Sequence, residues 1–131
     1  MSTSAAHAAA FYADLSRGSS VWTIRDDKGF PSFMNGSGQE VMPFWSRRTR
    51  VDRVVARVPA FSALSVVEIP LDEFLRRWLP GLRGDGIRVG VNWSGASATG
   101  YDLTVSELER NLAAAGVRSP AGGGPGPGVD A

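Results

Sequence analysis

The 131-residue chain carries 14 basic and 13 acidic side chains, a formal net charge of +1, and 43% apolar residues. This is the composition of one globular domain that buries enough surface to fold without staples. The lack of cysteine excludes disulfides, thiolate chemistry and Cys-ligated zinc, the single histidine, His7, excludes a His-rich metal centre, and the near-neutral charge argues against a nucleic-acid coat protein.

Residues 4–16 fit a helix, because Ala8, Phe11, Tyr12 and Leu15 recur at i, i+3, i+4 and i+7, with Gly18 placed to close it. The period then falls to two. SSVWTIRDDKGF reads as a strand, a turn at 26–29 and a return strand. MNGSGQEVMPFW gives a second turn at 35–38 and a third strand over 40–44. The expected pairing is a three-stranded meander, with Pro31 and Pro43 at edges or strand ends. Ser46 stands where a helix cap is needed for residues 47–58, whose buried stripe is Val51, Val54, Val55 and Val58.

LSVVEI (64–69) reads as a short strand. Pro70 opens a helix that buries Leu71, Phe74, Leu75, Trp78 and Leu79 and ends at Pro80 and the glycines of GLRGDG. IRVGVNW (87–93) is a strand with Ile87, Val89 and Val91 on one face and Arg88, Gly90 and Asn92 on the other. The glycine-rich loop SGASATG (94–100) and Tyr101–Asp102 lead to a last helix, where Thr104 and Glu107 form a capping box, Leu108 and Leu112 pack inward and Gly116 closes. Residues 118–131 offer nothing to bury and are expected to be a disordered tail. The order α-β-β-β-α-β-α-β-α defines an α+β domain over residues 1–117, a mixed sheet with helices mainly on one face.

Little catalytic chemistry fits. A Ser-His-Asp triad has only His7 to use, in an alanine-rich helix, and SGASATG is not a nucleophile elbow. No P-loop is present, so loop 94–100 could cradle a phosphate only through backbone N–H groups. Asp26–Asp27 belongs to a turn, while Glu68 and Asp102 stand at strand ends where either could face a cleft. No metal or cofactor is expected. No apolar run reaches 18 residues, and the N-terminus has no basic region before Asp14, so neither a membrane span nor a signal peptide is expected. The cytoplasm is the expected location.

Two features suggest binding. Arg50, Arg53 and Arg57 share one flank of the valine stripe, with Arg47 near it and Arg48 opposite. They are either a solvated face or a grip on an anionic partner. Trp45 and Trp93 each end a strand beside a serine. If those strands are neighbours, Trp45, Ser46, Trp93, Ser94 and Tyr101 line one end of the sheet.

VWTIRDDKGF, PFWSRRTR, VEIPLDEFLRRWLPGL and VGVNWSGASATGYDL together resemble a family of short bacterial proteins known only as a domain of unknown function. The resemblance covers about residues 11–112. The order of elements is also similar to the N-terminal domain of SseB-like proteins, where a P-x-F-T-S step and a late Asn-Pro loop hold similar places; here Asn92-Trp93 departs from that pattern. Neither family supplies a catalytic residue. The resemblance implies a small module that acts by binding, with an immunity partner of a secreted toxin as one role that fits. The expected function is therefore non-enzymatic binding of a protein with an acidic surface, through Trp45, Ser46, Arg47, Arg48, Arg50, Trp93, Ser94 and Tyr101. The alternative is a small molecule or nucleotide, with or without turnover, at loop 94–100.

Overall fold

In the computed structural model, which describes residues 3–95 and 98–117, the strand β3 (Glu40–Phe44) is apolar on both faces and lies at the centre of the fold. Val41 points into one core, and Met42 and Phe44 into the other. Elements before it are α1 (Thr3–Ser16), β1 (Val21–Arg25) and β2 (Phe33–Met34). After it come α2 (Arg48–Arg57), a 3-10 turn (Pro59–Phe61) and β4 (Ser65–Ile69). One helical rod then joins α3 (Leu71–Glu73), a π-helical stretch (Phe74–Trp78) and α4 (Leu79–Asp85). The chain continues through β5 (Arg88–Ser94), β6 (Thr99–Leu103) and α5 (Val105–Ala114).

This is an α+β domain with the expected order of elements, completed by one unanticipated strand, β6, in what reads as a glycine-rich loop. The main sheet runs β2-β3-β5-β6, with β3 and β5 parallel and the outer pairs antiparallel. The expected meander does not form. The turn at 26–29 exists, and the Asp26 carboxylate accepts the N–H groups of Lys28 and Gly29. Pro31 then has no N–H to offer a returning ladder. The edge of β1 is taken instead by β4, antiparallel, from Val21 opposite Ile69 to Arg25 opposite Ser65. Reciprocal 2.8 Å hydrogen bonds between Trp22 and Trp45 fasten this second sheet to the end of β3. The Thr23 hydroxyl adds a bond to the Pro43 carbonyl at 2.8 Å.

Three elements cover one face. Ala8, Phe11 and Leu15 of α1, Phe74, Leu79 and Leu82 of the rod, and Leu108 and Leu112 of α5 meet Val89, Val91, Met42 and Phe44. On the other face, Val51, Val54 and Val58 of α2 and Phe61 meet Ile24, Val41, Trp45 and Trp93. Helices are thus mainly on one face, with α2 alone opposite.

Three local expectations are corrected. Of the two expected stop signals, Pro80 does not end the rod and the last glycine of GLRGDG does. The Leu79 N–H reaches the Phe74 carbonyl, five residues back, and this wider turn relieves the contact a proline ring makes with the carbonyl four residues before it. The rod ends at Gly86, whose φ of 70° is left-handed. Ser46 caps nothing. The residue before α2 is Arg47, with no side-chain cap, and the Ser46 hydroxyl is used elsewhere.

The third correction concerns β5. Between the pairs Val91–Tyr101 and Ser94–Thr99, β5 carries two residues and β6 only Gly100. This is a β-bulge. Asn92 takes φ 49°, a conformation asparagine tolerates better than most residues. Its side chain turns to α1, and Trp93 is thrown to the opposite face. There its ring lies flat against two glycines. A Cβ on Gly90 would stand 2.4 Å from the indole Nε1, and one on Gly100 would stand 2.9 Å from Cδ1.

These contacts give opposite expectations for two glycines. Gly90→Ala should destabilise the domain by about 1–3 kcal/mol through overpacking. Gly81→Ala, in open space inside α4, should stabilise by about 0.4–1 kcal/mol. Urea denaturation of both variants tests this, and equal effects would mean the Trp93 ring is not held as described.

Candidate functional site

Two serines that follow or end strands meet His7 and Asp14, two turns apart on α1, in a largely buried polar junction. Asp14 stands on the apolar stripe of α1, almost wholly covered. It accepts from the Ser46 hydroxyl at 2.7 Å and from Arg47 twice, Nε at 3.1 Å and Nη2 at 2.9 Å. Asn92 completes the junction. Its Oδ1 accepts the Ser46 N–H at 3.0 Å, and its Nδ2 donates to the His7 carbonyl at 3.0 Å and to the Ser46 hydroxyl at 3.1 Å. Burial alone would raise the Asp14 carboxyl, but hydrogen bonds from Arg47 and Ser46 and the charges of Arg47 and Arg50 hold it below its ordinary value.

His7 lies beside this junction, with Nδ1 3.0 Å from the Ser94 hydroxyl. A serine beside a histidine invites comparison with a triad, which also needs a carboxylate to orient the imidazole. The nearby carboxylate on α1, Asp14, is held by Arg47 and Ser46 instead.

The structure brings the two Trp-Ser steps together but not as an aromatic surface. Trp45 is 0% exposed and Trp93 7%. The Trp45 indole N–H donates to the Trp93 carbonyl at 2.8 Å. Both rings are core residues, because α2 closes over one and the bulge presses the other onto glycine. Ser46 is wholly buried, and Ser94 is partly exposed. Tyr101 is 43% exposed, but it stands opposite Val91, on the face away from Trp93. Arg47 and Arg48 are exposed and engaged, Arg47 with Asp14 and Arg48 with Asp52 at 3.5 Å. Arg50 is half-buried, with its Nε unpaired. Residues 96–97 of the glycine loop, and the tail 118–131, lie outside the described residues.

A cavity of about 460 Å³ opens on the α2 face, where α2 ends and the outer strands are uncovered. Its floor is aromatic. Phe33 packs 5.3 Å from Phe61 and 6.1 Å from Trp93, centroid to centroid. Asn35 and Asp102 form one wall, Val58, Ala60 and Ala98 another, and Met34, 66% exposed, stands at the rim. The wall is braced by hydrogen bonds. The Asn35 Oδ1 accepts the N–H groups of Ser37 and Gln39, closing the β2–β3 turn. Its Nδ2 lies 3.0 Å from the Gln39 side-chain amide and also donates to the Asp102 carboxylate at 3.3 Å, and the other carboxylate oxygen takes the Trp93 indole N–H at 2.9 Å. The first and last strands of the sheet are tied together over this space. Volume and lining suit a small organic molecule.

Sequence pattern pointed to Trp93 and Asp102 but not to their partners. Asp14 had a signal, a lone charge on an apolar helical stripe. Asn92 had another, a buried-strand position given to a residue that favours positive φ. Asn35 and Phe33 had none beyond a turn.

Fold and site together define a small α+β domain with a buried polar junction on one side of its bulge and an apolar cavity on the other. The family described as "Protein of unknown function (DUF2750)" matches residues 8–112, and the chain belongs to that family. The matched span runs from within α1 to within α5 and includes the cavity and, apart from His7, the junction. No curated protein matches the chain. Among the described residues, no helix is long and apolar enough to cross a membrane.

Because the folded Asp14 carboxyl is more acidic than in the unfolded chain, its ionised form stabilises the fold at neutral pH. That contribution is fully present above the ordinary carboxylate range and is lost as pH falls through the folded value. Asp14→Asn should cost about 2 kcal/mol at pH 7, kept modest by the exposure of Arg47. It should also flatten the loss of stability in acid. Urea midpoints of both proteins between pH 7 and 3 measure this; parallel curves would show that Asp14 is not the responsible group.

Proposed function

We propose that this protein is a non-enzymatic binding module whose ligand is a small organic molecule held in the cavity between Trp93, Phe33, Phe61 and Asp102. The observation that carries this reading is the way the cavity is kept open. Asn92, in the β5 bulge, and Ala98, just before β6, are non-glycine residues with positive φ, each at 49°. Strained backbone persists where surrounding structure enforces it, and such positions cluster at binding sites. Here the strain fixes an indole as a cavity wall, and Ala98 itself lines the space. Small side chains at Gly36, Ala60 and Gly100 leave the volume unfilled.

A second reading has an acidic protein surface docked on α2. It is supported by the exposure of Arg47, Arg48, Arg53 and Arg57 along that helix, where Asp52 is the only acidic residue. Arg48→Glu with Arg53→Glu separates the two, since the cavity ligand should still bind to that variant.

Ala60→Trp puts a large side chain at an exposed position on the cavity wall. A bound ligand at 100 times its Kd should stabilise the wild type by about 2.7 kcal/mol. A thermal-shift screen of small organic molecules should find compounds that raise the wild-type midpoint by several degrees and leave Ala60→Trp unmoved. Hits that shift both proteins equally would place the site elsewhere.

A further inference from the structure

Resting on the cavity as the binding site, we infer that its ligand is a free organic cation: an ammonium group attached to an apolar, ring-sized body. The cavity's charge is the first argument. Of the described residues that line it, Asp102 is the one ionisable side chain, and none is basic. In a chain with 13 arginines, a cavity with only a carboxylate has a definite sign. An anion placed there would meet Asp102 with nothing to offset it, in surroundings less polar than water.

The second argument is the hydrogen-bonding capacity of that carboxylate. Asp102 accepts one bond on each oxygen, from Trp93 and from Asn35. An ionised carboxylate has about four acceptor sites. Both present donors are neutral, and among the described residues no cation pairs with it, unlike Asp14. Trp93 and Asn35 hold the carboxylate in place and leave acceptor capacity for an incoming N–H donor.

The third argument is the floor. The rings of Phe33, Phe61 and Trp93 present apolar surface that suits the ligand body, and a ring face also attracts an ammonium group. The size of the cavity then selects the source. About 460 Å³ falls in the range of drug-sized ligands, well above a single lysine side chain, so a protein-borne ammonium would leave most of it empty. A polyamine fits no better, since its further charges would have no carboxylate to face.

A matched series tests this in the intact wild-type chain: 3-phenylpropylamine, 3-phenylpropan-1-ol and 3-phenylpropionate share a skeleton and differ in charge. Binding is read by NMR shifts of the Trp93 indole N–H, with isothermal titration for affinity. The amine should bind at least tenfold more tightly than the alcohol, and the carboxylate more weakly than either. In Asp102→Asn, which keeps an acceptor for Trp93, amine and alcohol should converge to within about twofold. If that variant does not fold, the wild-type series still decides. Alcohol binding as tight as amine would overturn the cation inference while leaving the cavity as the site. No response from any of the three would remove the cavity reading as well. A trimethyl-lysine peptide that binds more tightly than the free amine would overturn the assignment to a small molecule.

Discussion

Asn92 sits at φ 49° with its side-chain amide buried and both polar side-chain atoms in use. An unpaired buried amide costs about 1–3 kcal/mol, so the side chain is committed to α1 and to the start of α2. The backbone has to bulge to make that commitment. The bulge then decides on which face Trp93 lies, which glycines must sit beneath it, and where the cavity opens. One torsion angle therefore relates the helix packing on one side of the sheet to the aromatic floor on the other.

The junction around Asp14 depends on the same residue. A carboxylate on the buried stripe of α1 would be strongly unfavourable alone. Ser46 and Arg47 neutralise and satisfy it, and Asn92 fixes Ser46 through both its N–H and its hydroxyl. The PFWS and NWS segments meet because each supplies half of a hydrogen-bond set that the other completes. Their tryptophans serve the same contact, with the Trp45 indole bonded to the Trp93 carbonyl. Aromatic residues beside serines at strand ends can thus fasten two strands from within as readily as they can form a surface.

Most local signals in the sequence were reliable, although Ser46 does not cap α2 and Asn92 breaks the alternation of β5. The α1 stripe, the valine stripe of α2, the Thr104–Glu107 capping box and the glycines after α1 and α5 all follow from neighbours within four residues, and all are present. Pairing was not legible, because the turn at 26–29 is real but does not say which strand fills the edge of β1. The continuation of the rod past Pro80 was not legible either, since a π-helical turn answers a steric problem that a helical pattern does not register. In the site, Trp93 and Asp102 stood out by type and position. Their burial, the cavity and the part played by Asn35 arise from residues far apart in the chain, and no spacing rule connects position 35 to position 102.

The parallel pairing of β3 with β5 has a consequence for how the chain is made. β3 ends at Phe44, and its partner is complete only at Ser94. At about 5–20 residues per second, the ribosome needs several seconds to deliver the second strand. During that interval the central strand of the finished sheet, apolar on both faces, has one edge with no ladder to join. The β2–β3 turn can close early, and β4 can reach β1, but neither covers that edge. The nascent chain therefore passes through a stage in which a hydrophobic strand edge is open to solvent, and any chaperone that assists this domain has its natural target there.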